Sequence, residues 1–370
     1  MKAKEAIKVI ISGGGTGGHV FPAIAIAEAI KAKEPTADIL FVGAKGKIEM
    51  EKVPQAGFPI KGLWISGFHR KLTMRNLMFP VKLMSSLAMA IGIVNQFKPQ
   101  VAVGVGGFAS GPVLKMAAMM GVKTVLQEQN SYAGVTNKLL AQKANNICVA
   151  YEGMDKYFPK DKLILTGNPV RTELANSGVS TAQALAHFGL ESGKKTLCVF
   201  GGSLGAKSIN EALAAQTAFI KSHPEVQLLW QVGKLYEEQY KDCATAQLPN
   251  VKILAFVDRM DMAYQMADLV VCRAGALTIS ELCLMGKPSV LIPSPNVAED
   301  HQTKNAMALV EKNAAVFLKD SESKDKLFST ALEVLADEGK LKELAANSLA
   351  MAHPNAAEDI AEVIINLAKA

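Results

Sequence analysis

Two segments of this chain share one design: a short apolar strand, a glycine-rich loop and the start of a helix. The first is Val9-Ile10-Ile11-Ser12 followed by Gly13-Gly14-Gly15-Thr16-Gly17-Gly18-His19, with a helix expected from about Phe21. The second is Leu197-Cys198-Val199-Phe200 followed by Gly201-Gly202-Ser203-Leu204-Gly205-Ala206. Glycine lets the backbone take positive φ and lets an anion approach closely. The next helix offers unpaired N–H groups and the positive end of its dipole. Ser203 adds a hydroxyl donor for a phosphate oxygen. A chain built on two such units predicts two parallel-sheet domains, and its 370 residues suffice for both.

Gly13, Gly15 and Gly18 fit G-x-G-x-x-G, which raises dinucleotide binding. Such a site needs an acid at the end of the second strand to hold the ribose. That strand ends in Val42-Gly43-Ala44-Lys45, and Asp38 precedes it. The dinucleotide reading therefore fails.

Apolar runs alternate with helical patterns throughout. Strands are expected at 8–12, 39–42, 101–105, 123–127, 146–150, 196–200, 227–231, 251–256, 269–272 and 289–292. Helices are expected between them, for example at 21–33 and 111–120. This order predicts α/β domains, each a Rossmann-like parallel sheet covered on both faces. Thr166-Gly167-Asn168-Pro169-Val170-Arg171 reads as the hinge. The expected division is 1–167, then 168–345, then 346–370, with the last segment packing back on the first domain. Asn355, after Pro354, is the expected cap of an amphipathic terminal helix.

Charge is uneven. Residues 52–127 contain no Asp or Glu but hold Lys52, Lys61, Arg70, Lys71, Arg75, Lys82, Lys98, Lys115 and Lys123. These nine exceed the whole chain's +6, so the remainder is net acidic. Such asymmetry predicts an anionic partner for that region. The apolar run 83–94 lies within it and is too short to span a bilayer. A basic helix without acids suits a membrane interface. The charged start of the chain followed by a buried strand does not read as a secretory signal. Cys148, Cys198, Cys243, Cys272 and Cys283 form no C-x-x-C pair and read as packing residues.

A third turn, Arg273-Ala274-Gly275-Ala276-Leu277-Thr278-Ile279-Ser280-Glu281, follows the strand at 269–272. Glu281 is expected in the first turn of its helix, where a carboxylate can accept both hydrogens of a ribose diol; the bland alternative is a charge favourable to the helix dipole. Beyond it, Glu299-Asp300-His301-Gln302-Thr303-Lys304-Asn305 is dense in groups that bond sugar hydroxyls. No D-x-D occurs, and no His/Cys cluster has metal-ligand spacing.

Taken in order, these motifs resemble the family 28 glycosyltransferases that transfer N-acetylglucosamine in peptidoglycan synthesis. The motifs are residues 14–22 (Gly-Gly-Thr-Gly-Gly-His-Val-Phe-Pro), Ile65-Ser66-Gly67, Gly106-Gly107-Phe108-Ala109-Ser110-Gly111-Pro112, Glu128-Gln129-Asn130 with Ala133-Gly134-Val135-Thr136-Asn137-Lys138, Gly167 to Arg171, Gly201 to Ala206, Arg273 to Glu281, and His301-Gln302 with Asn305. The resemblance implies a GT-B fold, two Rossmann-like domains facing each other across a cleft. It implies inverting transfer from UDP-N-acetylglucosamine, a substrate rather than a bound cofactor, to the muramyl 4-hydroxyl of undecaprenyl-pyrophosphoryl-MurNAc-pentapeptide (lipid I), giving lipid II. No metal or nucleic acid is implied. The enzyme would sit peripherally at the cytoplasmic face of the membrane, on its anionic inner leaflet.

Carried over by position, Arg171 and Ser203 meet the donor diphosphate and the Val257 backbone reads uracil. Ala276, Leu277, Thr278, Ile279 and Ser280 line the nucleotide, Glu281 the ribose and Gln302 the sugar. Thr16, Gly17, Gly18 and Asn130 approach the transferred sugar. Gly14, Gly15, Phe108 and Asn137 belong to the acceptor side. Phe108 stands where the family often has Tyr, Gln127 where it often has His, and His301 where it often has Gln. For the base, His19 is the first candidate, since an unperturbed imidazole titrates near ~6.5; Glu128 is the second. Readings left open are a UDP-N-acetylglucosamine 2-epimerase, another lipid glycosyltransferase, and a non-catalytic nucleotide-sugar binder, which would not need His19.

Overall fold

A computed structural model describes residues 6–67, 78–170, 174, 177–202 and 204–370. The chain divides into two compact units, Met1–Arg171 with Asn355–Ala370, and Thr172–Pro354.

Unit 1 is built on seven strands: β1 Lys8–Ser12, β2 Asp38–Ala44, β3 Ile60–Leu63, β4 Val101–Gly104, β5 Lys123–Glu128, β6 Asn146–Val149 and β7 Leu163–Leu165. Their order is β3-β2-β1-β4-β5-β6-β7, and every pair is parallel. Period-2 alternation sends neighbouring residues to opposite faces. Val9, Ile11, Phe41 and Val103 pack under the helix Gly17–Lys33 through Ile26 and Ile30. Ile10, Leu40, Ala102 and Leu126 pack the other face with Ile93 and Leu114.

Unit 2 repeats the plan with β8 Lys195–Phe200, β9 Val226–Gln231, β10 Val251–Leu254, β11 Leu269–Cys272, β12 Ser289–Leu291 and β13 Val316–Phe317. Their order is β10-β9-β8-β11-β12-β13, again parallel. Leu197, Val199, Trp230 and Val271 meet Ile209, Leu213 and Phe328 in its core.

Strand order reverses between β1 and β4 in unit 1, and between β8 and β11 in unit 2. Ligands of doubly wound sheets bind beyond the strand ends at this point. Ser12 pairs with Gly104 and Cys272 with Phe200, so the loops on either side of each switch leave the sheet at one level.

The last helix, Ala356–Lys369, belongs to unit 1. Ile360, Ile364 and Ile365 enter the same core as Ile26 and Ile30. Lys33 pairs with Glu362 at 3.1 Å, and Lys369 with Glu34. Residue 346, the boundary expected from the sequence, lies inside the helix Glu338–Ala350 of unit 2. Asn355 stands at the cap position but makes no side-chain cap; its carbonyl accepts Asp359 N–H at 2.8 Å.

The helix expected at 83–94 extends over Phe79–Phe97. Met84 and Val81 are 66% and 53% exposed on it, beside Met78 and Trp64. Lys82 Nζ lies 5.8 Å from the Trp64 ring centroid and donates to Ser66 Oγ at 3.1 Å. Arg70, Lys71 and Arg75 lie outside the described residues. Among the described residues, no helix is long and apolar enough to cross a membrane.

All five cysteines are free. Burial pushes the thiols of Cys148 and Cys272 up to about 12, which makes them poor nucleophiles at neutral pH.

Candidate functional site

In unit 1 the helix begins at Gly17, not near Phe21, with Thr16 as its extended N-cap residue. Gly14 and Gly15 hold φ of 146° and 92°, values that side-chain-bearing residues rarely adopt. The loop is pinned from two sides. A Cβ on Gly107 would overlap the Gly14 carbonyl oxygen, and one on Gly14 would overlap the Glu49 carboxylate. Phe108 covers Gly15, its Cε1 lying 3.1 Å from where a Cβ would be.

Thr16 Oγ1 and His19 Nδ1 are 3.2 Å apart. This contact fixes the ring's orientation and leaves Nε2 on the other edge. That edge lies against Gly106: a Cβ there would come within 2.9 Å of Nε2 and 2.8 Å of Cδ2. Gly106, at φ 90°, is thus required by both backbone and imidazole.

Glu128, the second candidate for the base, ends β5 and is 2% exposed. Its Oε1 accepts from Asn130 N at 3.2 Å and Asn130 Nδ2 at 3.3 Å; its Oε2 accepts from Gly134 N and Asn137 Nδ2, both at 2.9 Å. Burial pushes its carboxyl above the usual range, and these four donors oppose the shift. A carboxylate offers about four lone-pair positions, and all four are taken. Glu128 therefore organises the Asn130–Asn137 loop and has no acceptor position left for a hydroxyl proton. Asn137 is buried and also donates to the Gln127 carbonyl at 3.1 Å, which places it beneath this loop.

Gln127 finds a local role of its own. Its Nε2 donates to Asn168 Oδ1 at 3.0 Å, its Oε1 accepts from Gln129, and Asn168 Nδ2 donates to the Gln129 carbonyl at 2.9 Å. This buried ring fastens the hinge segment to β5.

In unit 2, Gly202 and Gly205 hold φ of 86° and 84°. Gln231 Nε2 donates to the Gly202 carbonyl at 2.9 Å. Ser203 and Arg171 lie outside the described residues. Across the switch, the helix Ala276–Leu284 starts after Gly275. The N–H groups of Ala276, Leu277 and Thr278 have no intrahelical acceptor and point out of the helix start. Ile279 differs: its N–H bonds to Gly275 O at 3.0 Å and its side chain is buried. Ser280 Oγ donates back to Ala276 O at 3.0 Å.

Glu281 is the sixth residue of this helix and lies in its second turn, not its first. It is buried, and its Oε2 accepts from the buried Tyr264 hydroxyl at 3.0 Å. The helix-dipole alternative loses force at that depth, since the dipole effect fades beyond the first turn. Tyr264 carried no motif in the sequence.

Arg273 is structural. It donates to Ile292 O at 3.0 Å, to Asp320 Oδ1 at 2.5 Å and to Ser208 Oγ at 2.8 Å, joining the ends of β11 and β12 to the helix after the glycine loop. Gln302 Oε1 accepts Ser294 N–H at 2.8 Å, which fixes its amide. Asn305 is buried behind the turn. Val257 is buried beside the exposed Phe256, with Lys234 Nζ 5.5 Å from that ring's centroid. Among the described residues, no group of three His, Cys, Asp or Glu could hold a metal.

Two doubly wound parallel units with glycine turns at both switch points are the two Rossmann-like domains of a GT-B fold. Residues 9–149 match the glycosyltransferase family 28 N-terminal domain, and residues 196–361 match the family 28 C-terminal domain. The chain belongs to glycosyltransferase family 28. It is 55% identical over 367 residues to a UDP-N-acetylglucosamine–N-acetylmuramyl-(pentapeptide) pyrophosphoryl-undecaprenol N-acetylglucosamine transferase of Bacteroides fragilis, covering 99% of this chain and 97% of the relative. A transferase of the same name from Flavobacterium psychrophilum is 54% identical, covering 98% of each chain. The crystal structure of Acinetobacter baumannii MurG is similar at a TM-score of 0.78 and 28% identity, covering 97% of this chain and 99% of that one.

Proposed function

We propose that this protein transfers N-acetylglucosamine from UDP-N-acetylglucosamine to the C4 hydroxyl of N-acetylmuramoyl-pentapeptide pyrophosphoryl-undecaprenol, with inversion. The observation that carries the reading is the full-length identity to transferases of that name, combined with a strand-order reversal flanked by a glycine loop in each unit. Unit 2 takes the donor. The N–H groups of Ala276 to Thr278 and of Gly201 and Gly202, with Arg171 and Ser203, meet the diphosphate, while the Gly205 N–H closes the loop on the Gly202 carbonyl at 2.9 Å; Glu281 takes the ribose, Val257 the uracil and Gln302 the sugar. The same donors stabilise the charge that grows on the departing UDP.

Unit 1 takes the acceptor, with Thr16, Gly17, Gly18 and Asn130 towards the transferred sugar. His19 removes the acceptor proton as the hydroxyl oxygen attacks C1 and the C1–phosphate oxygen bond breaks, a single displacement that inverts the centre. The reading assigns the negative charge of UDP to backbone N–H groups and cationic side chains. The exposed face of the helix Phe79–Phe97 meets the anionic cytoplasmic leaflet, which brings unit 1 to a lipid-borne acceptor. Transfer of radiolabelled sugar to a short-chain acceptor analogue tests the reading. Release of free sugar or 2-epimerisation without transfer would refute it.

A further inference from the structure

The first glycine loop carries the shape of a phosphate cradle, yet its anion is already present. Glu49 is the first residue of the helix Glu49–Gln55, seven residues past the Val42 at which the sequence showed no acid. Its side chain turns back into the sheet end and is 2% exposed. Oε2 accepts the Gly15 N–H at 2.9 Å, and Oε1 accepts the Ala44 N–H at 2.9 Å. Two glycines make room for it. A Cβ on Gly14 would overlap the carboxylate, and one on Gly43 would come within 2.5 Å of Glu49 Cγ. Among the described residues no Lys or Arg forms an ion pair with it.

A buried carboxylate on backbone donors at a strand-to-helix turn stands in the relation that a bound phosphate takes in a nucleotide loop. We propose that Glu49 is a positioning residue and the built-in anion of this loop. It holds Gly14 and Gly15 in their left-handed form, which sets the cap residue Thr16 and, through the Thr16–His19 contact, the imidazole. By filling the Gly15 N–H and placing a buried negative charge beneath Gly14 and Gly15, it disfavours a nucleotide phosphate on the unit 1 loop and leaves that ligand to unit 2. The kinetic part rests on the transfer reading above; the occupation of the loop does not.

The test uses the full chain. In the wild type, UDP should move the amide resonances of Gly201, Gly202 and Gly205, while UDP and inorganic phosphate should leave those of Gly15 and Ala44 in place. Glu49→Gln keeps the volume but turns an N–H donor towards one of the two backbone donors. Its kcat should fall at least tenfold with donor KM within twofold. Glu49→Ala should fall further and recover at least fivefold in acetate, which matches the atoms removed. Movement of Gly15 by phosphate in the wild type, or a wild-type kcat in Glu49→Gln, would overturn the proposal. Should Glu49→Ala not fold, the wild-type titration and Glu49→Gln still decide. A wild type inactive in transfer, with Gly15 unmoved, would refute the transfer reading and leave the occupied loop standing.

Discussion

His19 and Glu128 are separated by what already occupies them. The Glu128 carboxylate is held by four donors, whereas the His19 ring meets the Thr16 hydroxyl through Nδ1 and packs its other edge against Gly106. His19→Ala should lower kcat by roughly 10²–10⁴-fold, the scale of general base catalysis. UDP affinity, measured by calorimetry, should stay within twofold; near-normal turnover would remove His19 from the role. Glu128→Gln should act differently. It turns an N–H donor towards two of the four donors and keeps an acceptor for the other two, so it should lower stability by roughly 1–3 kcal/mol, read as a shifted urea midpoint. On the donor side, Glu281→Ala should raise donor KM roughly 10–100-fold, the worth of a hydrogen bond to a charged group. Tyr264→Phe removes only the group that orients Glu281, and about two- to tenfold is expected. Equal effects from the two substitutions would mean that Glu281 acts through Tyr264 and not on the ribose. These residues differ in legibility. Glu281 stood in a recognisable run; Tyr264 and Glu49 did not, because each reaches its partner through the tertiary fold from another element.

At the scale of elements, strands were legible where both faces are buried. Lys8–Ser12 and Leu269–Cys272 coincide with the expected runs, because a parallel strand under two helical layers must be apolar throughout. The strands without a clear sequence signal, Ile60–Leu63, Leu163–Leu165 and Val316–Phe317, are short edge strands with one neighbour each. They bury less, so their composition is less constrained. The start of the first helix was also displaced, since Gly17 and Gly18 have poor helix propensity and enter the helix only because the pinned loop delivers them there. The terminal helix Ala356–Lys369 shows what an amphipathic pattern can and cannot tell. Its apolar stripe was plain, whereas the particular side chains it meets belong to a core formed some 330 residues earlier. Ile360→Ala should cost about 2–5 kcal/mol, the range for a large buried aliphatic residue. Urea unfolding followed by a probe in unit 1 should shift to lower midpoint, while UDP affinity at unit 2 is retained. Loss of UDP binding alongside that shift would show that the two units do not keep separate stability.

At the scale of the whole molecule, the charge map and the fold meet on one helix. The acid-free stretch 52–127 includes Phe79–Phe97, whose buried side carries Ser86, Ala90, Ile93 and Val94. Its other side leaves Met78, Val81, Met84 and Ile91 exposed, beside Trp64 and Lys82. A soluble helix would normally place charge on that side, since exposed apolar side chains gain nothing from water. An interfacial helix places apolar groups at the acyl boundary and cations at the headgroups. Each cation near an anionic leaflet is worth about 1 kcal/mol, so Lys82→Ala should reduce partition into vesicles containing anionic phospholipid about fivefold. Burying a Val or Met side chain is worth about 1.5–3 kcal/mol, so Val81→Asp with Met84→Asp should reduce it more than tenfold. Sedimentation with vesicles reads both, and added salt should weaken wild-type binding by screening. Turnover on a water-soluble acceptor analogue should be unchanged in the double variant, whereas turnover on a long-chain acceptor in vesicles should fall with partition. If partition survives both substitutions, the membrane face lies elsewhere on the molecule and the acid-free stretch serves a different anion.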